Sequence, residues 1–118
     1  MDHMDIERTP GNYADVTVFR LKGPFTLATL FPLQSALRDS SLKSVIIDLS
    51  GVPYMDSAGL GVLLSHFANS QRQGNRYALV GITPRVLTVF EITHTDTLLP
   101  IFPTQEEAEK VFVKSATA

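Results

Sequence analysis

Val45-Ile46-Ile47-Asp48-Leu49-Ser50-Gly51-Val52-Pro53-Tyr54-Met55-Asp56-Ser57-Ala58-Gly59-Leu60-Gly61 is the stretch that decides the fold. Its first five residues form a nearly continuous β-branched and apolar run without polar alternation. That is the pattern of a strand covered on both sides, and so of one at the centre of its sheet. A loop over residues 50–53 follows. From Ser57 to Gln73, Leu60, Leu63, Leu64, Phe67 and Ala68 fall on one helical stripe, and Gly74-Asn75 supplies a C-terminal stop. A buried strand, a loop and an amphipathic helix in that order predict an α/β fold.

The same alternation extends in both directions. Upstream, Val16-Thr17-Val18-Phe19-Arg20-Leu21 reads as a strand closed by Gly23-Pro24. A weaker extended segment near residues 5–8 is placed to pair with it through the turn at Pro10-Gly11-Asn12. Leu30 to Leu37 has helical spacing, with Thr29 as its cap and Pro32 in the first turn, where proline is tolerated. Downstream, Tyr77-Ala78-Leu79-Val80 is a strand, and Thr83-Pro84 opens a helix through Ile92 with Thr83 as cap. Leu98 to Phe102 is a short apolar stretch bracketed by Pro100 and Pro103. Thr104-Gln105-Glu106-Glu107 is a capping box that launches a last helix through Val111 and Phe112. The expectation is one domain over residues 1–118, with loose termini at 1–4 and 114–118. Its sheet is mixed but mostly parallel, with four to five strands and about four covering helices.

Composition narrows the function. A chain of 118 residues with 44% hydrophobic and 19% charged residues has room for one core and one working surface. Its net charge of -2 gives no electrostatic reason to expect direct contact with nucleic acid. The absence of cysteine excludes disulfides and thiolate metal sites. No apolar run approaches the roughly 18 to 20 residues of a membrane span, and Met1-Asp2-His3-Met4-Asp5 is acidic where a leader would be basic. A cytoplasmic protein with no membrane association and no cofactor is expected.

Chemistry, if any, should sit where the central strand gives way to the helix. Ser57 falls at a helix N-terminus, where unpaired N–H donors and a partial positive charge suit an anion or a phosphoryl group. Gly59 and Gly61 leave the first turn bare. They would either let another molecule approach Ser57 or serve only to pack helix on sheet. A hydrolase elbow of the form G-x-S-x-G fails at its first position, since the frame is Met55-Asp56-Ser57-Ala58-Gly59. Nor is a histidine base obvious: His66 lies roughly 13 Å up the helix at about 1.5 Å per residue, and His94 follows another helix, so surface or cap roles are expected for both. Asp48 and Asp56 lie near the same loop, yet two carboxylates without further oxygen ligands do not make a metal site, and turn or cap bonds are their commoner use. No Gly-Lys-Ser/Thr phosphate loop is present, so any kinase would be a partner.

Asp48 to Leu64, together with Leu79-Val80-Gly81-Ile82-Thr83-Pro84 and Glu106-Glu107-Ala108, resembles the signature of the STAS domain, and within it the bacterial anti-sigma-factor antagonists. The resemblance implies a curved sheet under helices and a regulatory role without catalysis. It implies that Ser57 is phosphorylated by an anti-sigma factor with serine kinase activity, and that the unmodified form binds this kinase and frees a sigma factor. A serine phosphatase would reset the phosphorylated form. Carried onto this chain, the partner surface comprises Asp56, Ser57, Ala58, Gly59, Gly61 and Thr26. Two positions depart from the family pattern. Ala58 stands where a second serine is frequent, leaving Ser57 the only local acceptor. Gly23-Pro24-Phe25-Thr26 replaces the common Gly-Glu-Leu-Asp, so Thr26 lacks the aspartate charge. A second reading is a STAS docking subunit of a transporter or stress-sensing complex that works without phosphotransfer.

Overall fold

A computed structural model describes residues 3–117, with side chains described through residue 114. Five strands and four helices follow one another along the chain: β1 (Asp5–Pro10), β2 (Val16–Lys22), α1 (Phe31–Ala36), β3 (Ser44–Gly51), α2 (Ser57–Arg72), β4 (Arg76–Val80), α3 (Pro84–Ile92), β5 (Ile101–Phe102) and α4 (Gln105–Thr117). The strands lie side by side in chain order. The β1–β2 pair is an antiparallel hairpin, and every later neighbour is parallel, as helical crossovers require. The expected mixed sheet is found, with β3 at its centre.

Chain order explains the layers. Right-handed crossovers that step repeatedly in one direction place their helices on one face, so α1, α2 and α3 share a face and α4 takes the other. Alternation along the strands feeds both. Phe19, Ile47 and Leu79 align across β2, β3 and β4 and pack into the core beneath α1–α3. Val18, Ile46 and Ala78, one residue earlier in each strand, turn to Ala108 and Phe112 of α4.

Several local expectations are corrected. Thr29 does not cap α1: Leu30 occupies the cap position without a side-chain bond. The buried Thr29 hydroxyl instead donates to Pro24 O at 2.7 Å and accepts from Thr26 N at 2.9 Å, because it closes the loop before the helix. Thr83 stands at the cap of α3, but its hydroxyl donates to Val52 O at 3.3 Å, joining two loops. On α2 the buried residues include Gly59, Leu60, Val62 and Leu63, whereas Leu64 and Phe67 are half-buried and Ala68 is exposed. His66 is half-buried, with its ring 5.1 Å from that of Tyr77, and takes neither a surface nor a cap role; His94 is exposed, at a positive φ of 60° just past α3. The short apolar stretch near residue 100 adds a fifth strand, set by Leu79 N donating to Pro100 O at 2.9 Å. Met4, expected in a loose terminus, is buried in the larger core cluster, and α4 runs on to Thr117. Of the other residues expected to be loose, His3 is exposed beside Asp5, and Met1, Asp2 and Ala118 lie outside the described residues.

Candidate functional site

Past a register shift at residues 20–22, the β2–β3 ladder continues into the two loops beyond it. Gly23 N donates to Gly51 O at 3.0 Å, Phe25 N to Tyr54 O at 3.1 Å, and Asp56 N to Phe25 O at 3.3 Å, with a parallel bridge between Phe25 and Met55. Both of those side chains are buried, so the loops are anchored as firmly as strands. This stitching brings residues 26–27 beside residues 56–57, which no sequence spacing discloses.

Asp56 is the centre of the arrangement. As N-cap of α2 it has extended backbone (φ -101°, ψ -178°), and its Oδ1 accepts from Gly59 N at 2.9 Å. Its Oδ2 accepts from Leu27 N at 3.0 Å, so one carboxylate both caps the helix and holds the β2–α1 loop. Burial pushes this carboxyl up, but the backbone N–H groups of Gly59, Leu27, Ala58 and Asp56 itself outweigh it, and the net pKa lies below the ordinary carboxylate value. The stability contributed by the ionised group is therefore present above the unfolded pKa and is lost as pH falls through the folded one.

Ser57 is the first residue of α2, and it is exposed. The two glycines after it divide the two readings between them. A Cβ on Gly59 would stand 2.5 Å from Phe25 O, so this glycine is required for the helix to approach the loop. A Cβ on Gly61 would meet nothing within 4 Å, so the surface there is open. Ala58 is partly buried against the core. Thr26 is half-buried, its hydroxyl accepting from Ala28 N at 3.3 Å. Sequence reasoning missed Leu27 and Phe31, each 63% exposed, one on the loop bonded to Asp56 and the other one helical turn later. An apolar residue in a loop without strand or helix period is the signal that could have found Leu27.

A third loop closes the group. Gly81 has φ +67°, and a Cβ there would lie 2.8 Å from Asp48 Oδ1. Asp48 itself accepts from Ser50 N at 2.9 Å and pairs with Arg20 Nε at 3.6 Å on the α4 face, so it does not converge with Asp56. Among the described residues no three His, Asp or Glu side chains come together. The Arg85 guanidinium lies over the Tyr54 ring at 5.3 Å and links α3 to the loop before Ser57. The result is a rigid platform at the carboxyl edge of the sheet, carrying one exposed hydroxyl, an ionised neighbour and an apolar rim.

The family model for the STAS domain matches residues 3–108. The chain belongs to the STAS-domain family. The Anti-sigma-B factor antagonist of Listeria monocytogenes is 38% identical to this STAS chain over 101 residues, covering 83% of it and 86% of the relative. Among solved structures, an anti-sigma factor antagonist from Mycobacterium paratuberculosis has a TM-score of 0.77 at 23% identity, covering 91% of this chain and 93% of its own. The Bacillus cell fate determinant SpoIIAA in its phosphorylated form has a TM-score of 0.68 at 19% identity, covering 92% and 99%. These two structures share the STAS fold with the present chain. Among the described residues of this STAS chain, no helix is long and apolar enough to cross a membrane.

Proposed function

We propose that this chain is an anti-sigma-factor antagonist whose unmodified form binds an anti-sigma factor with serine kinase activity, and that phosphorylation of Ser57 ends the binding. The observation that carries the reading is the exposed Ser57 hydroxyl at the first position of α2, next to a fixed and ionised Asp56. The name of the Listeria relative supports the partner class. In this reading Asp56, Ser57, Ala58, Gly59, Gly61 and Thr26 form the contact surface, and Leu27 and Phe31 add apolar area beside them. The protein works by binding, not by catalysis, in the cytoplasm, and a serine phosphatase restores the unmodified state.

The physics of such a switch follows from the platform. A phosphoryl group adds about -1.5 to -2 charge. Asp56 cannot swing away from it, since both its oxygens are held by backbone N–H groups. The helix N-terminus favours the new charge by about 0.3–1 kcal/mol, so the domain stays folded. The partner meets a doubly charged patch in place of a hydroxyl, and about 1.4 kcal/mol lost at the interface weakens binding tenfold.

The test is to incubate the full chain with its anti-sigma factor and ATP and locate the phosphate by mass spectrometry. One phosphate on Ser57, absent from Ser57→Ala, is expected. Phosphate on another residue, or none with an active kinase, would overturn the reading in favour of a docking subunit without phosphotransfer.

A further inference from the structure

The loop bonded to Asp56 and the helix that follows it carry two large apolar side chains in solvent. Leu27 and Phe31 are each 63% exposed, although Thr29, Leu30 and Leu33 around them are buried. The backbone that presents them is tied down. Leu27 N donates to Asp56 Oδ2, Thr29 N to Thr26 O and Gln34 N to Leu30 O, each at 3.0 Å. Leu30 and Leu33 belong to the larger core cluster and hold the segment from below.

Single exposed apolar residues are ordinary on a protein surface. What separates this pair is the charge around it. Among the described residues, the other exposed large apolar side chains, Tyr13, Ile92, Leu98, Val111 and Val113, each have a charged residue within two positions. Residues 23–37 and 49–65, which make up the two stitched loops, α1 and the start of α2, contain a single charged side chain, Asp56. Both oxygens of that carboxylate already accept from backbone N–H groups. Cations stand at the border only: Lys22 at the end of β2, and Arg85, whose guanidinium lies over the Tyr54 ring. A charge-depleted centre with exposed aromatic and aliphatic side chains and a polar rim is the composition of a protein interface.

We infer that Leu27 and Phe31 are the main anchors of the complex and enter an apolar cleft on the anti-sigma factor, an inference that rests on the reading of Ser57 given above. The occupant follows from continuity. The loop bearing Leu27 is bonded to the residue that precedes Ser57, so a protein that closes on the Ser57 hydroxyl also covers these side chains. With the one carboxylate spent, attraction comes from apolar burial, and salt has little to screen. Phe31 contributes more than Leu27, because aromatic side chains bury more area and are enriched at interfaces. The same surface explains how one phosphate acts: a phosphoryl group on Ser57 would be carried into an apolar contact with no cation to receive it. Desolvation, which salt does not relieve, then opposes binding.

The test measures the dissociation constant of the full chain with its cognate anti-sigma factor by calorimetry, at about 0.05 M and about 0.5 M salt. Phe31→Ala is expected to bind at least about tenfold more weakly and Leu27→Ala at least about fivefold, both with wild-type melting temperatures because both positions are exposed. Leu27→Met, which keeps an apolar side chain, should recover the binding lost in Leu27→Ala. Leu98→Ala removes an exposed leucine outside the platform and should leave affinity unchanged. Wild-type affinity should vary by less than about threefold across the salt range, and high salt should not restore binding to Ser57→Asp. Full affinity in both alanine variants, with binding still lost in Ser57→Asp, would overturn the inference and leave the reading of Ser57 intact. An equal loss in Leu98→Ala, or an affinity that falls more than about tenfold with salt, would also overturn it. Failure of the anti-sigma factor to bind the wild type would overturn both.

Discussion

The two faces of the sheet are built on different principles. Under α1, α2 and α3, twenty-one of the described residues form a buried apolar cluster; under α4 there are seven. What the second face lacks in hydrocarbon it replaces with a polar network. Glu109, 1% exposed, accepts from Asn12 N at 2.8 Å, Asn12 Nδ2 at 2.9 Å and Gln105 Nε2 at 3.1 Å. Arg20 reaches Thr9 and Gln105 at 2.9 Å each and pairs with Asp48. The apolar face supplies the rigid base on which the Ser57 platform rests, through Phe25, Met55 and Leu60. The polar face fixes where α4 lies, since hydrogen bonds are directional where hydrophobic contact is not.

The comparison predicts a ranking of damage. Leu63→Ala, a fully buried truncation beneath α2, should cost about 2–5 kcal/mol in a denaturant melt. Glu109→Ala strands donors of Asn12 and Gln105 and should cost about 1–3 kcal/mol. If the glutamate change proved the more damaging, the polar face would be the principal source of stability and the contrast would fail.

Sequence legibility follows the same division. Val45 to Leu49, Leu60 and Leu63 declare themselves by period because burial on the apolar face is a matter of hydrophobic pattern. Glu109 does not, since a glutamate inside a capped helix reads as a solvent-facing residue until the three donors that surround it are in place. Val62 is buried and Ala68 exposed, the reverse of what the helical stripe suggests, because the tertiary packing around α2 sets which edge of the stripe is covered. At the site, Asp56, Ser57 and the glycines were legible because cap and small-residue signals are local. The bond from Leu27 to Asp56 spans 29 residues and depends on two loops running side by side, so no local pattern carries it. The hydroxyl of Thr83 was misread for the same reason, since its partner Val52 is 31 residues away, whereas Thr29 closes its own loop onto Pro24 and Thr26 instead of capping the helix that follows.

Within the platform the two glycines sharpen the contrast between packing and access. Gly59→Ala must push α2 from Phe25 O and should destabilise by about 1–3 kcal/mol. Gly61→Ala enters open space and should stabilise the helix by up to about 1 kcal/mol, while weakening partner binding through the added bulk. A Gly61 variant that bound its partner as well as wild type would place the contact surface elsewhere.

The most direct measurement compares the affinity of the cognate anti-sigma factor for wild type, Ser57→Ala and Ser57→Asp, with thermal melts of all three. The account predicts near-wild-type binding by Ser57→Ala and at least about tenfold weaker binding by Ser57→Asp, corresponding to about 1.4 kcal/mol, with melting temperatures unchanged. Equal binding by wild type and Ser57→Asp, or a loss explained by unfolding of the aspartate variant, would contradict it.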